Sequence, residues 1–160
     1  MSISVGDRLP KGNLVKADAQ GPQPIDSEDY FRGRRVAIFS VPGAFTPTCS
    51  ARHLPGFVER ADELKAKGVD EIACVAVNDA FVMQAWASQS GAEGKVTMLS
   101  DGNGELARAL GLTMDASKFG MGERGQRWSA IVEDGVVKAL NVEPPGAFGV
   151  SSADHLIGQL

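Results

Sequence analysis

Apolar residues along this chain fall into two kinds of pattern, and the two alternate. Compact runs rich in β-branched residues predict strands over Arg35–Ser40, Glu71–Val77, Val96–Ser100 and Trp128–Glu133. The runs Glu71–Val77 and Val96–Ser100 are apolar enough to be covered on both faces, as central strands are. Val132-Glu133 is followed by Asp134-Gly135 and then Val136-Val137, and Asp-Gly supplies the positive φ angles of a two-residue type I′ turn. The hairpin predicted there excludes a purely parallel sheet. Between the strands, helical spacing runs through Phe57, Val58, Ala61 and Leu64 and stops at Gly68, with a start at or near Cys49 and a kink at Pro55. Further helices are predicted over Ala80–Trp86, capped by Asn78 or Asp79, over Gly104–Leu110, and over Ser152–Leu160 with Leu156, Ile157 and Leu160 docked. Strands alternating with helices give an α/β sheet covered by helices.

Length and composition narrow the function classes. The 160 residues fit one domain, residues 1–160, and no interior stretch reads as a linker. Sixteen Lys and Arg against 20 Asp and Glu leave a net charge of -4, without the basic excess that phosphate-backbone binding needs, so nucleic acid is an unexpected partner. No apolar run approaches the ~20 residues of a membrane span. The segment Met1-Ser-Ile-Ser-Val-Gly-Asp7 lacks a cationic stretch followed by an apolar one, and a reducing cytoplasm is the expected location. Only 2 cysteines occur, too few to staple a fold or to fill a zinc site without histidines. They are either chemistry or core.

Cys49 has the setting for chemistry. Val41-Pro42-Gly43-Ala44-Phe45-Thr46-Pro47-Thr48-Cys49-Ser50 is a Pro/Gly loop that leaves a buried strand and delivers a thiol to the start of a helix. Unpaired amides at a helix start carry partial positive charge and favour the thiolate, which is the nucleophilic form. The plainer reading, a small buried residue, fits the strand–loop–helix context less well.

Pro42-x-x-x-Thr46-x-x-Cys49 resembles the active-site signature of the peroxiredoxins. The longer text Pro42-Gly-Ala-Phe-Thr-Pro47, Cys49-Ser50, His53-Leu-Pro-Gly-Phe57, Val77-Asn-Asp-Ala-Phe81, Arg127-Trp-Ser129 and Asp134-Gly-Val136 resembles their type II, peroxiredoxin five-like branch. The resemblance implies a thioredoxin-like fold, a mixed central sheet with helices on both faces, and a thiol peroxidase that reduces hydrogen peroxide and alkyl hydroperoxides through a Cys49 sulfenic acid. It makes Cys49 the nucleophile, Thr46 a hydrogen-bond partner of the peroxide or of Cys49, and Arg127 a fixed charge brought onto the loop from a distance. Pro42, which has no N–H, becomes a shield that dries the pocket. It also implies a homodimer built around the active-site loops, with Phe45, Phe81 or Trp86 as apolar contacts. Neither a metal nor a bound cofactor is expected; electrons would come from an external thiol, glutathione with glutaredoxin or else thioredoxin.

Several signals compete with these. Arg124 is a rival to Arg127, disfavoured because Trp128-Ser129 follows the latter. His53, four residues after Cys49, could pair with it or join a metal site, although a structural role is the better expectation, and His155 reads as surface or helix end. Gly102-x-Gly104-x-x-Ala107 approximates a dinucleotide fingerprint but reads better as a turn before a helix, and Asp101-x-Asn103-x-Glu105 fails as a calcium loop. The two copies of Pro-Gly-Ala-Phe, at Pro42 and Pro145, are turn chemistry rather than a repeat. Phe45, Phe119, Met121 and Trp128 are candidates for an apolar collar, and the Gly/Met-rich stretch from Asp115 to Arg124 for a loop over the site. A resolving cysteine near the C-terminus is absent, since Val150-Ser151-Ser152 occupies that place, and Cys74 sits in an apolar strand. A one-cysteine cycle is therefore expected, with resolution by Cys74 through local unfolding as the alternative. The rivals are a redox-responsive sensor or chaperone-type binding protein using the same cysteine, and a disulfide reductase, disfavoured because Thr46 stands where Cys-x-x-Cys needs its first cysteine.

Overall fold

The computed structural model describes residues 2–160. Its nine strands are β1 (Asn13–Asp18), β2 (Gly21–Asp26), β3 (Arg35–Ser40), β4 (Glu71–Ala76), β5 (Thr97–Ser100), β6 (Thr113–Asp115), β7 (Glu123–Gly125), β8 (Trp128–Glu133) and β9 (Val136–Val142). Seven of them form one sheet in the order β2-β1-β5-β4-β3-β8-β9, while β6 and β7 pair separately. β3, β4 and β5 run parallel, and each flank adds antiparallel strands. This is the mixed sheet of a thioredoxin-like fold.

Alternation along each strand divides the core into two layers. On one face lie Ala37, Phe39, Ile72, Cys74, Met98 and Ile131. Packed against them are Leu54 and Phe57 of α2 (Leu54–Glu59), Leu64 of α3 (Ala61–Ala66), Met83 and Trp86 of α4 (Ala80–Ser90), and Leu156 and Ile157 of α6 (Ala153–Ile157). The opposite face presents Val36, Ile38, Ala73, Val75, Leu99, Trp128 and Val132 to Phe31 of α1 (Ser27–Phe31) and to Leu106 and Leu110 of α5 (Glu105–Leu110). Both faces are thus covered, as parallel strands require.

The strands β3 and β8 coincide with their predicted limits, and Asp134 (φ 49°) with Gly135 (φ 80°) forms the predicted turn. β4 stops at Ala76 and β5 begins only at Thr97, because the carbonyl of Val77 accepts from Arg124 and the amide of Val96 bonds back to Ala92. α4 runs four residues past Trp86, to Ser90, before Gly91 (φ 70°) ends it, and Asp79 rather than Asn78 caps it by accepting from the Val82 amide. The β1–β2 hairpin had no strand signal because β2 carries Pro22 and Pro24. Both prolines are tolerated on an edge strand, where alternate missing N–H groups fall on the open side.

Candidate active site

The loop after β3 is pinned at several points. The Val41 amide donates to the Val75 carbonyl at 3.2 Å, and the Ala44 amide to Asn78 Oδ1 at 2.9 Å. Asn78 thereby serves the loop instead of the α4 cap. Gly43 is required by close packing: a Cβ there would sit 2.9 Å from Met121 Cε and 3.2 Å from Thr46 Cγ2. Phe45 holds a left-handed φ of 65°, a strained conformation for an aromatic residue. Its ring lies 6.4 Å from that of Trp86, whose Nε1 donates to Ser50 Oγ beside Cys49.

Helical structure then opens with a π turn, Cys49–His53, in which the Leu54 amide reaches back to the Cys49 carbonyl. Pro55 explains the slip, since it has no N–H for the carbonyl four residues earlier and its ring crowds that turn. Within this turn Cys49 and His53 both contact one side chain from across the sheet. Arg127 precedes β8, and strand alternation places it on the Ser129 and Ile131 face, the face that holds Cys49. Its Nη2 donates to Cys49 Sγ at 3.0 Å and its Nη1 to His53 Nδ1 at 2.8 Å. A guanidinium can only donate, so Nδ1 accepts and Nε2 carries the proton that His53 gives to the Ser151 carbonyl at 2.9 Å. Burial, reinforced by the Arg127 charge, holds His53 down at about 3, so the ring is neutral.

The Ser151 end of this chain of contacts is fixed by Glu143. One carboxylate oxygen accepts from the Gly149 amide (2.6 Å), the Ser151 amide (2.8 Å) and the Ser151 hydroxyl (2.7 Å). Burial alone would raise the Glu143 carboxyl, but the amides of Gly149, Ser151 and Val150 and the Ser151 hydroxyl outweigh it and hold the group below its ordinary value. A continuous path therefore leads from Glu143 through Ser151, His53 and Arg127 to sulfur. Neither Glu143 nor the acceptor role of His53 was read from the sequence. The available signal was a single carboxylate between the apolar strand β9 and Pro144-Pro145.

Of the predicted residues, Arg127 reaches the sulfur itself. Cys49 is fully buried, and Pro42, Thr48 and Arg127 line a cavity of about 570 Å³ beside it. Its other wall includes Glu143, Pro144, Pro145, Gly146 and Ala147, so the two Pro-Gly-Ala-Phe turns face one another across it. Thr46 donates to the Gly43 carbonyl at 2.7 Å rather than to Cys49. With its single proton committed, the hydroxyl oxygen is left as an acceptor. Arg124 is occupied by the carbonyls of Met121 and Val77, which removes it as a rival.

Three candidates lie elsewhere. Trp128 belongs to the core of the opposite sheet face, and Trp86 is 1% exposed, so the one cannot form a collar nor the other a dimer contact. Gly104 (φ 72°) caps α5, and the Asp101 carboxylate accepts the Leu106 and Ala107 amides where a dinucleotide's phosphates would have to lie. Among the described residues no group of three or more His, Cys, Asp or Glu is placed to hold a metal, and both thiols are free. Cys74 is buried in mid-β4, and burial, together with the nearby Cys49, pushes its thiol well up.

A buried cysteine held by an arginine on a thioredoxin-like sheet defines a thiol-dependent redox protein. Residues 4–157 match the Redoxin family. The chain is 52% identical over 164 residues to Peroxiredoxin-2E-2, chloroplastic, of Oryza sativa subsp. japonica, covering 99% of this chain and 73% of that protein. It is 45% identical to Peroxiredoxin-2B of Arabidopsis thaliana, over 99% and 98% of the two chains. The crystal structure of reduced Prx3 in complex with hydrogen peroxide from Vibrio vulnificus superposes with a TM-score of 0.94 at 48% identity, over 98% of each chain. The chain belongs to the redoxin family and is a peroxiredoxin, a thiol peroxidase.

Proposed function

We propose that Cys49 is the residue that attacks the peroxide, that Arg127, Thr46 and Pro42 complete the site, and that the cycle uses one cysteine. The observation that carries this reading is the 3.0 Å contact from Arg127 Nη2 to Cys49 Sγ. A guanidinium at that distance presents fixed donors to the sulfur and to the oxygen on which charge develops. The thiolate attacks one peroxide oxygen, an S–O bond forms as the O–O bond breaks, and the other oxygen leaves as alkoxide or hydroxide and takes a proton. Arg127 stabilises the charge as it moves from sulfur to oxygen, the Thr46 oxygen accepts a hydrogen bond from the peroxide O–H, the leaving oxygen takes its proton from solvent, and Pro42 shields the site without offering a donor. No step needs a bound cofactor or metal.

The sulfenic acid then meets an external thiol. Cys74 is a poor resolving group because it is buried within β4 and its thiol stays protonated. Glutathione attacks Cys49, forming a mixed disulfide and releasing water, and glutaredoxin regenerates the thiolate. Thioredoxin is the other candidate donor. A homodimer held by the exposed Phe45 and Phe81, working in a reducing compartment such as the cytoplasm, completes the reading.

The test is turnover with glutathione and glutaredoxin, read beside the mass of the oxidised protein. Cys49→Ser is expected to abolish peroxide consumption with the fold intact. Cys74→Ser is expected to keep it, and oxidised wild type treated with glutathione to carry the adduct on Cys49. An intramolecular disulfide together with an inactive Cys74→Ser would replace this reading with a two-cysteine cycle.

A further inference from the structure

Two guanidinium groups approach the Phe148 ring, Arg52 at 4.7 Å from its centroid and Arg127 at 5.9 Å. Arg127 is committed to Cys49 and His53. Arg52 is different: it is exposed on the π turn, three residues after Cys49, and among the described residues it takes part in no salt bridge. The carboxylate in the adjoining segment, Glu143, is turned to Gly149 and Ser151. A guanidinium resting on an aromatic face keeps its in-plane donors available, and a carboxylate is the partner that fits that fork. The cavity lined by Thr48, Arg127 and Ala147, the residue before Phe148, at about 570 Å³, is in the range of pockets for drug-sized ligands and far exceeds what hydrogen peroxide needs.

We propose that Arg52, held on Phe148 and three residues from Cys49, receives a carboxylate of glutathione while the glutathione thiol attacks Cys49. The proposal rests on the one-cysteine reading above. Glutathione carries two carboxylates and one ammonium group, so a cation set apart from the reacting sulfur attracts it without obstructing the thiol. The glutathione sulfur bonds to Cys49 Sγ, the S–O bond of the sulfenic acid breaks, and hydroxide leaves and is protonated to water. A second thiol, from glutaredoxin or another glutathione, then attacks the glutathione sulfur and releases Cys49 as thiolate, so the two electrons that reduced the peroxide come from two thiols. Arg52 takes no part in bond making; it raises the local concentration of an anionic thiol and orients it.

The experiment is stopped-flow reduction of full-length protein oxidised with one equivalent of hydrogen peroxide, comparing glutathione with the neutral thiol β-mercaptoethanol. The ratio of the two rates is expected to fall about fourfold in Arg52→Gln and about tenfold in Arg52→Glu, to be largely kept in Arg52→Lys, and to shrink in wild type as salt is raised, as for an exposed charge pair. An unchanged ratio overturns the proposal. So does a charge dependence that falls on the oxidation step, seen with a carboxylated against a neutral hydroperoxide, or one seen only with protein thiols. If neither small thiol reduces the oxidised protein, the one-cysteine reading fails and the Arg52 proposal fails with it; reduction by β-mercaptoethanol with an unchanged ratio sinks the proposal alone.

Discussion

Cys49 and Cys74 occupy the same apolar cluster on the same face of the sheet, and neither has any exposed surface. What separates them is the company of the sulfur. Cys74 stands in the middle of β4, between backbone ladders to β3 and β5, where it packs within the apolar cluster. Cys49 stands on a π turn, where a loop pinned at both ends and a guanidinium from across the sheet meet it. Burial raises a thiol, and in Cys74 that effect, with a further push from Cys49, outweighs the opposing pull of Arg127. Reactivity in a buried cysteine therefore depends on donors that the chain brings to it from far away in sequence.

Removing the donor is the strongest way to break this contrast. Arg127→Ala should lower the second-order rate with peroxide roughly one hundred to one thousandfold, the scale of losing a preorganised charge-stabilising donor. Stopped-flow oxidation at neutral pH measures it, and a change under about threefold would mean that Arg127 does not serve the sulfur. Cys74→Ser, in contrast, should lower stability by about 1 to 2 kcal/mol, for a hydroxyl in an apolar strand, and leave the oxidation rate near wild type.

Acid should attack the site from the other side of Arg127. His53 is neutral in the folded chain down to about 3, because of burial and then of Arg127, whereas in the unfolded chain it takes up a proton near its ordinary value of 6.5. Below pH 6.5 the unfolded state thus binds the extra proton, and stability that is fully present above that pH is lost as the pH falls toward 3. Between pH 8 and pH 5 the loss from this one group should be roughly 2 kcal/mol. Urea unfolding at the two pH values checks it against His53→Gln, in which that share of the pH dependence should vanish; an equal slope in the variant would assign the proton to another group.

The parts of this molecule legible in its sequence are those set by local pattern. Strands β3 and β8, the Asp134-Gly135 turn and the helix starting near Cys49 follow from periodicity and turn chemistry, which act within a few residues. Arg127 was reachable only through its resemblance to a family, since nothing local distinguishes it from Arg124; the distinction lies in which carbonyls happen to be within reach of the latter. Trp86 and Trp128 could not be assigned a place because an aromatic residue reads alike at a pocket rim and in a core. The acceptor role of His53 depends on a contact spanning 74 residues and that of Glu143 on the return of the chain after two prolines, and neither leaves a trace in spacing.

Glu143 offers the smallest expected effect and the finest test of how far the environment of Cys49 extends. Its amide bonds to the Arg127 carbonyl at 3.0 Å, but its carboxylate bonds to neither the sulfur nor the guanidinium; it holds Gly149 and Ser151, and so the carbonyl that fixes the His53 proton on Nε2. Should that carbonyl drift, Nε2 loses its partner, the ring can turn or change tautomer, and Nδ1 no longer presents its lone pair to Arg127. Glu143→Gln keeps the size and one acceptor oxygen but removes the charge that three donors share. Glu143 is thus a positioning residue, and its loss should slow the peroxide reaction about threefold with little change in melting temperature. A purely structural role would instead lower stability and leave the rate of the folded fraction unaltered. The discriminating readout is the double variant with His53→Gln, in which the ring that Glu143 acts through is gone. There the Glu143→Gln substitution should have almost no further effect on rate, whereas two independent contributions would multiply.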